Sequence, residues 1–122
     1  MEKKKTLVLG ASSKSDRYAY KAVDFLQNKN QPVVAVGNKE DEVLGVKISK
    51  EMPTSVADIH TVTLYLSAKN QPGYYDDILA LKPKRVIFNP GTYNPELIEL
   101  LQKNEIETVE ACTLVMLSTN SY

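Results

Sequence analysis

The chain has one cysteine, Cys112, and one histidine, His60, among its 122 residues. A single cysteine excludes an internal disulfide framework and suits a reducing, cytoplasmic compartment. One thiol and one imidazole cannot assemble the three or four protein ligands that a zinc-type metal site takes. An excess of either charge is lacking too, since fifteen Lys and Arg balance fifteen Asp and Glu. No global field therefore recruits nucleic acid or an anionic membrane. The run Lys3-Lys4-Lys5 reads as a solvated lead-in to the first strand. No apolar stretch approaches the roughly 18 residues that span a bilayer. The charged start leads into a core strand and does not read as a cleavable signal.

What is present suffices for one layered core. The 43% hydrophobic and 25% charged content fits a single globular domain over residues 1–122. Apolar runs alternate with amphipathic segments. Strands are expected at Thr6 to Leu9, Val33 to Val36, Thr61 to Leu66, Arg85 to Phe88 and around Thr108-Val109. Between the first two, Ala19, Ala22, Val23 and Leu26 recur at helical spacing. Tyr75, Ile78 and Leu79 mark a second helix after Gln71-Pro72-Gly73. Asn94-Pro95-Glu96 opens a third, with Asn as cap and Pro at the first helical position; Leu97, Leu100 and Leu101 form its inner face. Asp41 to Pro53 has little periodicity and reads as a long connection with room for a short strand. Cys112 to Ser118 reads as a last turn or helix.

Strands alternating with helices require crossover connections and a parallel sheet covered on both faces. The expected fold is an α/β, Rossmann-like, doubly wound domain with a five-stranded parallel sheet. Ligands in such sheets lie beyond the carboxyl ends of the strands, where strand order reverses. The loops after Leu9, Val36, Leu66 and Phe88 therefore carry the function.

The first of these loops is the most informative. The strand stops at Gly10, passes through Ala11, Ser12 and Ser13, and meets Asp16, which can open a helix. Gly10 permits a tight turn, the small residues allow close approach, and hydroxyls on Ser12 and Ser13 can bond a phosphate. A helix N-terminus adds positive potential. This predicts a diphosphate cradle; the plainer alternative is a strand-to-helix turn using the same residues for shape alone.

Known nucleotide fingerprints do not fit. Ser12 and Ser15 replace the second and third glycines of G-x-G-x-x-G, and no acid closes the second strand to grip an NAD ribose. Gly10-Ala11-Ser12-Ser13-Lys14 is no Walker loop either. The second strand ends instead in Gly37-Asn38-Lys39. A lysine there would attract an extra phosphate on a ribose, as in NADP or coenzyme A, unless it is a solvated partner of Glu40 and Asp41. At the fourth strand end, Asn89-Pro90-Gly91-Thr92 either contacts a ligand or only launches the capped helix.

Catalytic groups are few. His60 precedes the third strand, on the side of the sheet away from the ligand, and reads as structural. Cys112 lies in an apolar setting, and a buried inert thiol is the default. Asp76 and Asp77 suit the helix dipole better than paired-carboxylate chemistry.

Five segments in order, Leu7 to Ser12, Val36 to Lys39, Leu44 to Val46, Phe88 to Thr92 and Val109 to Met116, resemble the small stand-alone CoA-binding domain proteins. These are similar to the nucleotide-binding domain of the succinyl-CoA synthetase alpha subunit. The resemblance covers nearly the whole chain and implies CoA, or an acyl-CoA, lying across the strand ends. It implies that Gly10, Ser12 and Ser13 hold the diphosphate, that Lys39 approaches the phosphorylated ribose, and that Asn38 lies near the adenosine. Ser67 and Ala68 would line the channel, with Gly91 and its neighbours at the pantetheine end. The synthetases carry a phosphorylated histidine on a second domain, and His60 does not occupy a matching position. Ligase activity is therefore not expected.

The expected function is non-catalytic binding of CoA or an acyl-CoA, as a carrier, a sensor, or a partner of an acyl-CoA enzyme or of a second copy. Two alternatives remain open. One is an enzyme or redox-responsive protein acting on CoA thiols or thioesters through Cys112. The other is an NADP-binding sensor, which Lys39 permits.

Overall fold

Short runs of three or four residues form the strands, and every residue of Thr6–Leu9, Thr61–Leu64 and Arg85–Phe88 is buried. The computed structural model describes residues 2–122. The strands are β1 (Thr6–Leu9), β2 (Val33–Val36), β3 (Asp41–Val43), β4 (Val46–Ser49), β5 (Thr61–Leu64), β6 (Arg85–Phe88) and β7 (Glu107–Glu110). The helices are α1 (Tyr18–Asn28), α2 (Tyr75–Leu81), α3 (Pro95–Lys103) and α4 (Thr113–Ser118).

The sheet runs β3-β4-β2-β1-β5-β6-β7. It has seven strands rather than the five expected, and it is mixed rather than wholly parallel. The additional strands are β3 and β4, an antiparallel hairpin inside the segment read as a connection. Strand β4 then joins β2 in parallel, with Ala35 opposite Ile48. The remaining pairs are parallel, as a wound sheet requires. From β1 the chain winds outward through β2 to the hairpin, then returns to β5 on the other side of β1. The reversal of strand order thus falls between β1 and β5, where a crevice is expected at the carboxyl ends.

Alternation along each strand feeds two cores. Leu7, Leu9, Val62, Leu64, Val86 and Phe88 pack against Ile78 and Leu81 of α2 and Leu97 and Leu101 of α3. On the opposite face, Val8, Ala35, Ile48 and Ile87 meet Ala19, Val23 and Leu26 of α1 and Leu117 of α4. Helices therefore cover both faces. The start of α3 follows the sequence: Asn94 accepts a hydrogen bond from Leu97 N–H, and Pro95 is the first helical residue.

The α4 face also holds polar groups. Arg85 is only 8% exposed. Its Nε donates to Thr61 Oγ1 at 2.8 Å, and its guanidinium lies 4.4 Å from the centre of the Tyr122 ring. Tyr122 hydrogen-bonds Thr6 through its hydroxyl, and its main-chain oxygen accepts from Lys4 Nζ at 2.6 Å. Residues from both extremes of the chain thus close one end of this core.

Gly37 marks the closest backbone approach in the site region. A Cβ there would lie 2.7 Å from the main-chain oxygen of Ala11 and 3.0 Å from Ile48 Cγ2. The β2 end and the first loop would have to separate to admit a methyl group. Gly37→Ala should therefore destabilise the fold by roughly 1–3 kcal/mol, the usual cost of overpacking. Urea unfolding measures this, and an unchanged midpoint would refute it.

Candidate functional site

At the reversal of strand order the loops surround a cavity of about 590 Å³. Gly10 adopts φ +96° at the end of β1, and a Cβ on it would press on Tyr65 and Leu66 at 3.0–3.1 Å. Its N–H donates to Val36 O at 2.8 Å, and the N–H of Ala11 donates to the same oxygen at 2.9 Å. These two amides fasten the loop to β2 and do not point freely into the cavity. The hydroxyl of Ser12 accepts from Lys14 N–H at 3.1 Å, and Ser13 donates to Asp41 Oδ2 at 2.6 Å. The Ser13 bond, followed by the Glu42 amide, holds the Asp41 carboxyl below the usual carboxylate range.

Helix α1 begins at Tyr18, later than Asp16 suggested. Arg17 occupies the cap position in extended conformation, with no side-chain cap. The first-turn amides of an α-helix lack intrahelical partners, so this end keeps its positive potential.

A second set of bonds fixes the far wall. Gln71 is fully buried, and its Nε2 donates to Leu66 O at 2.9 Å and Thr92 O at 2.8 Å. Its Oε1 accepts from Asn94 Nδ2 at 2.9 Å. One side chain thereby ties the loop after β5 to the loop after β6.

The cavity brings together Gly10, Ala11, Ser12, Ser13, Gly37, Asn38, Lys39, Ser67, Gly91 and Thr92. Two residues of the expected site, Ala68 and Asn89, do not line it. Ala68 opens a 3-10 turn behind Ser67. Asn89 is 3% exposed and faces inward: its Nδ2 donates to Thr63 Oγ1 at 2.7 Å and Leu64 O at 2.8 Å. Its Oδ1 accepts from Thr113 N–H at 2.8 Å. The Thr92 hydroxyl donates to Asn89 O at 2.7 Å.

Sequence reasoning missed Lys14, Arg17, Asp41, Tyr65 and Tyr74, which also line the space. Lys14 and Arg17 lie in the first crossover, and their signal was the spacing of basic residues behind the serines. With Lys39 they put three cations in the lining against Asp41 alone. This balance favours an anionic ligand. Burial pushes the Tyr65 phenol up to about 12, so it stays protonated near neutrality.

His60 lies at the amino end of β5, its Nδ1 2.7 Å from Thr61 Oγ1. Burial, then the nearby cations Arg85 and Lys4, lower its pKa and so favour the neutral ring. It is not part of the cavity. Cys112 is half-buried at the start of α4 and lines a smaller cavity of about 260 Å³. Among the described residues, no group of three or more His, Cys, Asp or Glu could hold a metal ion. No helix among them is long and apolar enough to cross a membrane.

A family model described as a CoA binding domain matches residues 4–118. The chain belongs to the CoA-binding domain family. A crystal structure of an uncharacterized protein is 49% identical, with full coverage of both chains and a TM-score of 0.94. A hypothetical protein from Pyrococcus horikoshii OT3 is 26% identical over 97% of this chain and 84% of its own, with a TM-score of 0.85. A Thermus thermophilus protein shares the fold at 20% identity and a TM-score of 0.81, covering 98% of this chain and 91% of its own. No curated protein matches significantly.

Proposed function

We propose that the larger cavity binds coenzyme A or an acyl-CoA without turning it over. The observation that carries this reading is the position of three cations, Lys14, Arg17 and Lys39, in a cavity at the reversal point of a CoA-binding-family sheet. In this arrangement the diphosphate lies against Ser12, Ser13 and the open end of α1. Lys39, after β2, meets the ribose phosphate, and Asn38 lies beside the adenosine. The pantetheine arm passes Ser67 toward Gly91 and Thr92.

The chemistry of the lining favours holding over transformation. General acid–base catalysis works best with a group that titrates near the operating pH. The lining of the larger cavity contains neither histidine nor cysteine, Cys112 lining only the smaller one, and Tyr65 ionises too high to serve. A binding role as carrier or sensor for an acyl-CoA enzyme follows.

Lys39 alone would equally suit NADP, so the test compares ligands. At one hundred times its dissociation constant, CoA should add roughly 2.7 kcal/mol to stability. Thermal unfolding with CoA, NADP and NAD at equal concentrations should rank them in that order. A larger shift with NADP than with CoA would transfer the assignment to the dinucleotide. No shift with CoA at millimolar concentration would remove it.

A further inference from the structure

Resting on the reading of the larger cavity as a CoA site, we propose that the smaller cavity receives the acyl group of a short, uncharged acyl-CoA. The two spaces follow the carboxyl edge of one sheet in strand order. The larger lies over the ends of β2, β1 and β5, and the smaller over those of β6 and β7. They meet at Pro90 and Gly91, which line both. Gly91 has φ +88°, and a Cβ on it would meet nothing within 4 Å, so the passage above it is open. A ligand with its ribose phosphate at Lys39 and its diphosphate at the first loop extends its thioester end toward this second space.

The walls there define what fits. Phe88, Pro90, Tyr93 and Ala111 present hydrocarbon, and the half-buried Cys112 adds a thiol that no histidine in the lining accompanies. Asn89 also borders the space, but its amide is fully engaged with Thr63, Leu64 and Thr113. Glu110 is the one charged residue in the lining, and no cation accompanies it. A carboxylated acyl tail would face repulsion without a partner. The volume of about 260 Å³ is about nine times one water's share of liquid, which suits a few carbons and not a fatty chain.

Calorimetric titration of the full chain with CoA, butyryl-CoA, succinyl-CoA and palmitoyl-CoA tests this. Butyryl-CoA should bind about tenfold more tightly than CoA, because its methylenes leave water. Succinyl-CoA should bind no more tightly than CoA, and palmitoyl-CoA no more tightly than butyryl-CoA. In Ala111→Phe, which fills the space, the preference for butyryl-CoA should disappear. Equal binding of CoA and butyryl-CoA by the unaltered protein overturns the acyl pocket and leaves the CoA site standing. Preference for succinyl-CoA or palmitoyl-CoA over butyryl-CoA overturns the charge or size argument. Failure to bind CoA at all overturns both readings.

Discussion

Replacing Asn89 with leucine should lower the melting temperature by about 12 °C. Leucine has similar bulk, so the change leaves little empty volume and isolates the hydrogen bonds. The amide joins β5, β6 and α4 through Leu64 O, Thr63 Oγ1 and Thr113 N–H, all at 2.7–2.8 Å. Thr63 retains its contact with the Thr113 hydroxyl at 2.8 Å. Leu64 O and Thr113 N–H lose the Asn89 side chain in a site that is 3% exposed at Asn89. Each unsatisfied buried group costs about 1–3 kcal/mol, giving a total near 3 kcal/mol. For a domain of this size each kcal/mol moves the midpoint by about 4 °C. Thermal unfolding followed by circular dichroism checks this; a shift below about 3 °C would mean that the amide does not hold the three elements together.

The second large effect concerns the ligand. Lys39→Glu should weaken CoA binding by at least tenfold while leaving dephospho-CoA nearly unaffected. The substitution places a carboxylate where the proposed site holds a ribose phosphate. Lys39 is exposed, so solvent and salt screen the interaction well below its interior strength. A loss of about 1.4 kcal/mol, one factor of ten, remains a modest demand on a full charge reversal. Titrations with both ligands distinguish the outcomes. Equal weakening of both would place Lys39 elsewhere on the ligand, and no weakening would take it out of the site.

The sequence revealed most where a residue's local chemistry has one solution. Strands β1, β2 and β6 begin and end at the residues read from their apolar runs. The α3 start was equally legible, because Asn94 and Pro95 suit cap and first turn for local reasons. The hairpin was not. Strands β3 and β4 have only three and four residues, and they turn through Leu44 at φ +49° and Gly45 at φ +83°. Leucine in that conformation is an unusual turn residue, and no Asn-Gly or Asp-Gly signal marks it. Strand β4 is stabilised by pairing with β2, a contact that periodicity does not report.

The same distinction separates the parts of the candidate site. The Gly10 loop and Gly37 were legible because tight turns and close approaches select glycine. Asn89 shows the converse: a polar residue at a strand end suggested a ligand contact, whereas its hydrogen bonds run to Thr63, Leu64 and Thr113. Those partners lie 24 to 26 residues away, beyond the reach of a local pattern. Arg85 is similar. Within Arg85-Val86-Ile87-Phe88 it reads as the edge of a strand, and its stacking with Tyr122 depends on the whole wound sheet.

The Tyr122 clasp also bears on the kinetics of folding. Its ring covers a guanidinium on β6, and its oxygen meets a lysine 118 positions earlier in the chain. Contacts that span so much of the sequence carry a large loop-closure cost and weigh on the folding rate. Until Tyr122 packs, the Arg85 guanidinium lacks its aromatic lid, however well the strands have paired.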